Sequence, residues 1–472
     1  MDPDLAESVV EHAIKKGASY AEARLEKVES SSFLMKNGVL EVSDYSRMQG
    51  IGVRALVNGS MGFSSADTLD RASALNAAED AVNLAKATAA LRKQPLILGP
   101  GDIGSKDWRI AEKQPIEDVS IEEGVAALQE VEKSIHEGDV QVPARFFHLS
   151  LDRREKIIVN SQGAEIRSYQ PLVTFYYLLT VVHPNKGSAQ RSFTYAQSSG
   201  WEAIEEWDLP RALSHETTAL DNNLLMGKKA PEGRMDVIIG PEITGIAVHE
   251  SAGHPYEGDR ILGREAAQAG ESFIRGDMLG SPIGSDIVSV ADDPRIEKSA
   301  GHYLYDDEGV KARERLLIKE GRINEFLLNR EAAAAFGRES NAAARASNYD
   351  REPMVRMSTT YMLPGDYGEE EMLENVKQGV YIKSFMEWNI NDTRYHQRYV
   401  GSEAYMIKDG EIHHPIKQPV LELTTPAFYS SIDALSDKVG FYAGNCGKGE
   451  PMQGIPVWMG GPMARLRNIR LG

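Results

Sequence analysis

Leu172-Val173-Thr174-Phe175-Tyr176-Tyr177-Leu178-Leu179-Thr180-Val181-Val182 is the longest uncharged apolar run in the chain, and its reading decides the fold class. It falls far short of the roughly 20 residues a membrane-spanning helix needs. Its β-branched and aromatic side chains suit a pleated, buried strand better than a helix. The same character continues outward. Residues 145–195 are strongly β in pattern, with turns at 160–163 and 184–187 between strands. A long twisted sheet in the N-terminal half is the expectation, with no membrane segment.

On the N-terminal side, Asp2 is placed to cap a helix that begins at Pro3. Leu5, Val9, Ala13 and Ile14 form its apolar stripe, and Gly17 stops it. Asn37-Gly38 separates residues 33–36 from 39–42, and Asn58-Gly59 separates 52–57 from 60–63. Asn-Gly between apolar runs is the strongest short-range hairpin signal. An alanine-rich helix follows over about residues 69–91. Residues 93–117 lack periodicity and contain Pro95, Pro100, Gly101 and Pro115, which reads as a linker. Ser120 and Glu123 make a capping box for a helix closed by Gly138.

Beyond the long sheet, a helical stretch over about 201–225 ends in Gly227-Lys228-Lys229-Ala230-Pro231-Glu232-Gly233, a second linker. A short strand at 235–239 is stopped by Gly240-Pro241, where a helix carrying Ile243, Ile246 and Ala247 begins. A further helix is expected over about 330–345. The remainder is mostly strand and turn, including 380–385, 403–407 and the Asp409-Gly410 turn. The division is therefore an α+β subdomain over 1–92, a linker over 93–117, and a second α+β subdomain over 118–226. A linker over 227–233 leads to a large β-rich domain over 234–472. The fold class is α+β.

The chain has 472 residues, with 52 Lys plus Arg against 70 Asp plus Glu and a net charge of −18. That balance argues against direct binding of nucleic acid backbones. The single cysteine, Cys446, excludes an intrachain disulfide. The acidic start, Met1-Asp2-Pro3-Asp4, lacks the basic segment of a signal peptide. A cytoplasmic protein is the expectation.

The helix after Gly240-Pro241 carries His249-Glu250-Ser251-Ala252-Gly253-His254. Two neutral imidazoles can bind zinc, and a carboxylate beside them can take a proton from metal-bound water. The histidines stand at i and i+5, however. On a regular α-helix that spacing rotates them about 140° apart, with Cα atoms roughly 8–9 Å from each other. The helix must widen to a π-type turn, or end near Gly253 so that His254 swings back.

Cys446 lies in Gly444-Asn445-Cys446-Gly447-Lys448-Gly449-Glu450-Pro451, a glycine-rich polar loop suited to contact with a ligand. Lys448 would favour the thiolate there. Two histidines and one thiolate form a three-ligand set with a fourth position open, the pattern of a catalytic zinc site. A nucleophilic Cys446 with a histidine base is the alternative chemistry. Tyr305-Asp306-Asp307-Glu308-Gly309 is expected to be a solvated turn, since it lacks the alternating ligand spacing of a calcium loop. His413-His414 falls on a strand, with the two side chains on opposite faces. His215-Glu216 has no second histidine at useful spacing downstream. Gly460-Gly461-Pro462 shapes a tight turn or ends a strand. No phosphate-binding loop or dinucleotide fingerprint is present.

Together these pieces resemble the TldD/PmbA family, in its metal-bearing TldD-type branch. The resemblance rests on the His249–His254 motif, on Gly444-Asn445-Cys446-Gly447-Lys448 and on Gly460-Gly461-Pro462. It extends to 17–24 and 50–57 near the N-terminus, and to Asp306-Asp307-Glu308-Gly309, Val355-Arg356-Met357 and Gly454-Ile455-Pro456-Val457. It implies a zinc peptidase for small or unfolded peptides, held extended against a sheet inside a dimer cavity. His249, His254 and Cys446 would bind one Zn2+ per chain, with Glu250 as the general base activating the zinc-bound water. The partner would be a second copy or a PmbA-type paralogue. The family's association with DNA gyrase would imply a binding role, to which the net charge of −18 lends no support. The competing expectation is a non-catalytic peptide-binding or scaffold subunit of a heteromeric complex. Asp307, Arg356 and His396 are further residues to test.

Overall fold

A computed structural model describes residues 1–265 and 270–472. Helix α1 (Pro3–Lys15) opens the chain, capped by the Asp2 side chain as its sequence predicts. Strands β1 (Tyr20–Lys36), β2 (Val39–Val57) and β3 (Ser60–Ala66) form a meander. Asn37, Gly38, Asn58 and Gly59 all take positive φ, as two-residue hairpin turns of this type require. Then come α2 (Arg71–Ala89), β4 (Ser105–Arg109) and α3 (Ile121–His136), the last with the predicted capping box at Ser120 and Glu123. The expected linker over 93–117 thus contains a strand, and β4 pairs in parallel with the start of the long strand β6.

Strands β5 (Ala144–Asn160), β6 (Glu165–His183) and β7 (Gly187–Gln197) carry the quoted apolar run at their centre. Helices α4 (Glu202–Trp207) and α5 (Leu209–Met226) follow, separated by Asp208 in the left-handed region. The N-terminal sheet runs β3-β2-β1-β5-β6-β4, and β7 also pairs with β6. Side chains alternate across strands. Leu149, Leu151, Val173, Phe175 and Tyr177 pack with Leu128, Val131, Leu213 and Leu220 of α3 and α5. Ala21, Ala23 and Leu25 pack with α1 and α2.

The opposite face of this sheet meets the C-terminal half through charges. Arg54 bonds Glu22 at 2.7 Å and Glu308 at 2.9 Å, and Lys156 bonds Asp307 at 2.9 Å. The Tyr305–Gly309 turn is therefore not solvated, contrary to its composition: Asp306, Asp307 and Glu308 are buried. Each acidic group there has partners that a linear reading cannot show. Asp306 accepts backbone N–H groups from Glu308, Val310 and Ala344. Lys156 and then Arg24 outweigh burial and hold the Asp307 carboxyl at about 2.

In the C-terminal half, β8 (Lys228–Lys229) and β9 (Gly233–Ile239) lead into α6 (Pro241–Val248) and α7 (Gly258–Ile261). Strands β10 (Val290–Asp292), β11 (Arg315–Lys319) and β12 (Arg322–Ile323) precede α8 (Arg330–Ala335). The expected helix over 330–345 is thus cut short. Gly337 takes a positive φ. Beyond it the Asn341 side chain bonds the Phe326 carbonyl and the Leu328 N–H, fixing an extended chain. There follow β13 (Ala344–Arg345), β14 (Met354–Val355), β15 (Thr359–Met362), α9 (Glu371–Glu374), β16 (Gln378–Ile390) and β17 (His396–Lys408). The chain ends with β18 (Glu411–Lys417), β19 (Val420–Thr424), α10 (Thr425–Ser431), β20 (Ile432–Leu435), β21 (Gly440–Lys448), β22 (Gln453–Gly461) and β23 (Ala464–Leu471).

One C-terminal sheet runs β12-β11-β10-β15-β22-β21. The other runs β16-β9-β23-β19-β17-β18-β8, and a β16–β17 pairing closes its first five strands into a barrel. Helix α6 packs on β22 through glycines. A Cβ on Gly461 would lie 2.4 Å from Thr244, and one on Gly245 would lie 3.0 Å from Gly460 N. Gly460-Gly461 thus ends a strand and admits the helix.

Candidate metal centre

Helix α6 does not continue as a regular helix. His249–Gly253 forms a π-helical turn in which His254 N–H bonds the His249 carbonyl, and His254–Tyr256 forms a 3-10 turn. Of the two irregularities the spacing allows, widening is the one present. Gly253 permits it, because a Cβ there would sit 1.9 Å from Met357 Sδ. The Ser251 hydroxyl bonds Tyr429 Oη at 2.7 Å, which ties the turn to α10.

The widened turn brings the imidazoles of His249 and His254 to 5.0 Å between ring centres, at 84° to each other. Cys446 Sγ lies 3.3 Å from His254 Nε2. One ligand atom from each of the three residues lies within 4.8 Å of the others, all on buried side chains.

Cys446 is not in a loop, as its glycine-rich setting suggested. It lies buried on β21, opposite Ile455 of β22. Glycines on this strand allow close approach rather than irregularity. A Cβ on Gly444 would come within 2.6 Å of Met459 Cε. Lys448 also has a different role from the one expected. Its ammonium lies 2.7 Å from Asp259 and 3.2 Å from Glu257. Burial alone would raise the Cys446 thiol, but His254 and then Arg356 outweigh it and bring the thiol down to about 7. Arg356 also donates to the Cys446 carbonyl.

His254 Nδ1 lies 3.2 Å from Glu257 Oε2. Glu257 is buried, yet Lys448, then His254 and Arg260, hold its carboxyl well below the usual range. An ionised Glu257 accepts the Nδ1 proton and so presents Nε2 as a lone pair, the usual arrangement behind a metal-binding histidine. Burial keeps both His249 and His254 below the ordinary imidazole value, hence neutral near pH 7. His249 Nδ1 is buried with no hydrogen-bond partner among the described residues. A buried, unpaired nitrogen costs about 1–3 kcal/mol unless something satisfies it. Two neutral imidazoles, a readily ionised thiol and this orphaned nitrogen fit a zinc ion.

Glu250 is buried beside His249, and its Oε2 accepts from Arg394 Nη1. Sequence reasoning missed Arg394. It sits in the polar turn between β16 and β17, where no linear signal points to the site. Its φ of 64° is a left-handed conformation. The Thr425 hydroxyl bonds its carbonyl at 2.9 Å and holds it in place. A cleft of about 380 Å³ opens onto His249, Glu250, His254, Cys446 and Arg394. β21 ends its sheet, β7 forms a ladder with β6 and a single bridge from Gln197 to Ser299, and both strands line this cleft.

The other sequence candidates lie elsewhere. Asp307 belongs to the contact with the N-terminal sheet. His396 is exposed, and its ring packs on Tyr395. His413 and His414 lie on β18, and His215 is exposed on α5.

Models of the PmbA/TldA metallopeptidase family match the chain in three parts: domain 1 over residues 21–85, the central domain over 114–230 and the C-terminal domain over 232–472. A metalloprotease of Methanothermobacter thermautotrophicus is 30% identical over 97% of this chain and 96% of its own length. A protein of Saccharolobus solfataricus named zinc metalloprotease TldD homolog is 25% identical, over 98% of each chain. Among solved structures, TldE from Thermococcus kodakarensis superposes with a TM-score of 0.74 at 16% identity, covering 99% of this chain and 100% of that one. A Thermotoga maritima protein described as a candidate modulator of a DNA gyrase gives 0.77 at 16% identity, covering 99% of each chain. These two likenesses concern the fold. No helix among the described residues is long and apolar enough to cross a membrane.

Proposed function

The chain belongs to the PmbA/TldA metallopeptidase family, and from that premise we propose that it is a zinc-dependent peptidase cutting small or unfolded peptides held extended along β21. The observation that carries this reading is the convergence of His249, His254 and Cys446, whose ligand atoms lie within 4.8 Å of one another. These three side chains would hold one zinc ion per chain. When bound, zinc supplies a Lewis acid that acidifies water and polarises a carbonyl.

Glu250 serves as the base. Arg394 fixes its Oε2. The other carboxylate oxygen is then left to take a proton from the attacking water and return it to the leaving amine. Main-chain pairing to the free edge of β21 gives affinity with little sequence preference. The net charge of −18 favours peptides over nucleic acid as the substrate.

The subunit pairs with a second copy or with a PmbA-type paralogue. The distal half of β2, where Val39, Leu40, Val42 and Tyr45 are exposed, supports such a pairing. Its outer edge is unpaired there, since β3 begins its pairing only at Ile51.

The contact of Arg394 with Glu250 favours a second reading, a peptide-binding scaffold whose glutamate is held in a structural ion pair. Metal analysis and turnover separate the two. Purified protein should carry near-stoichiometric zinc, lost in Cys446→Ser. Glu250→Gln should keep the zinc and lower turnover of an unfolded peptide by at least about 100-fold. Zinc-loaded wild-type protein that cuts no such peptide would establish the scaffold instead.

A further inference from the structure

A second chamber of about 320 Å³ adjoins the cleft of His249, His254 and Cys446, and Thr194, Gly444 and Asn445 line both. Its floor is the polar face of β5 and β6, where Arg154, Lys156, Ser168 and Gln170 stand at alternate positions. Its other walls include Arg345, Gly444 and Asn445 of β21, and Gly454, Ile455 and Pro456 of β22.

The charges around this chamber are unevenly satisfied. Lys156 is paired with Asp307, and Arg154 with Glu26 at 3.0 Å. Asp152 accepts from the Ser30 and Ser150 hydroxyls, and Asp306 from backbone N–H groups. Arg345 differs. Its Nη1 donates to the Met357 carbonyl at 2.6 Å and its Nη2 to the Pro456 carbonyl at 3.0 Å. No carboxylate lies within ion-pair distance of it among the described residues. A guanidinium has five N–H donors, so donor capacity remains. Burial, with Arg356 nearby, lowers Arg345 to about 10 although Tyr303, Asp307 and Asp292 act the other way, and its guanidinium lies 5.5 Å from the Tyr303 ring centre. Trp108 also lines the chamber, and its buried Nε1–H has no partner. Both unmet groups are donors, which calls for an acceptor, and beside a guanidinium the matching acceptor is a carboxylate.

Resting on the peptidase reading above, we propose that this chamber receives the part of an extended peptide beyond the scissile bond and binds a carboxylate of that peptide through Arg345 and Trp108. The peptide runs past Gly444 and Asn445 from one cavity into the other. The carboxylate is either the peptide's C-terminus or an acidic side chain, and both offer the same planar acceptor.

Three unstructured octapeptides of one core sequence test this on the zinc-loaded full chain. One has a free C-terminus and no acidic residue, one is its amide, and one is the amide with a single Glu in the C-terminal half. Dissociation constants come from Glu250→Gln, and KM from the wild type. A free acid binding at least about tenfold better than its amide supports the proposal and identifies the C-terminus. Recovery of that affinity by the Glu-bearing amide instead supports it and identifies a side chain. In either case the preference should vanish in Arg345→Gln and weaken in Trp108→Phe, which keeps the ring. Equal binding of all three peptides overturns the proposal and leaves the peptidase reading standing. A preference that persists in both variants likewise overturns it. If no peptide is bound or cut by zinc-loaded protein, the peptidase reading falls and the proposal with it.

Discussion

In the proposed zinc site a proton and the metal would compete for the sulfur of Cys446. His254 and Arg356 bring that thiol to about 7, while burial keeps His249 and His254 neutral below the ordinary imidazole value. Zinc affinity should therefore be level above about pH 7 and fall roughly tenfold per unit below it, one proton being taken up at the sulfur. The slope should steepen only once the histidines also protonate. Competition with a chromogenic chelator between pH 5.5 and 8 measures this, and a three-proton slope already present at pH 7 would contradict it. The three residues that converge were legible in the chain because two histidines flank a glutamate and one cysteine stands alone. Their supporting residues were not. Lys448 was the visible cation near the thiol, yet Arg356 faces it and Lys448 serves Glu257, on a segment far away in the chain. Arg394 reaches Glu250 across 144 positions, and no local pattern encodes such a contact.

The element that makes the site is a single widened turn. A spacing of five residues cannot share one ion on a regular helix, so irregularity at 249–254 followed from helix geometry alone. The choice of widening over termination depends on Met357 packing against Gly253, a tertiary fact. Gly253→Ala should therefore displace the turn. We expect a loss of stability of about 1–3 kcal/mol, as for other overpacked cores, together with loss of zinc. Met357→Ala in the same chain should restore part of both, read by thermal denaturation and metal analysis. No rescue would show that Gly253 is needed for its backbone rather than for space. The same kind of local signal misled elsewhere. The alanine run after Arg330 promised a helix to 345, but Asn341 bonds the backbone of Phe326 and Leu328 and holds an extended chain. Glycines around Cys446 suggested a loop, whereas they let β21 lie close to its neighbours.

Across the whole molecule, the α+β class and the long β5–β6 pair were readable from alternation and turn residues. What joins the two halves was not, because the acidic turn at 306–308 looks solvated until the sheet facing it is known. Arg54, buried between Glu22 and Glu308, makes that junction testable. Glu308→Ala leaves a buried guanidinium half-paired and should cost about 3–5 kcal/mol in urea denaturation. A loss below about 1 kcal/mol would mean that water reaches the pair. The solitary thiol also counts molecules. With Cys446 the only sulfhydryl in 472 residues, a thiol reagent has one target and no background. Chelated protein should take up one equivalent per chain, slowly because the sulfur is buried, and zinc should protect it in proportion to occupancy. The fraction labelled then reads the fraction of empty centres directly, in any mixture of subunits where the partner is known to be cysteine-free.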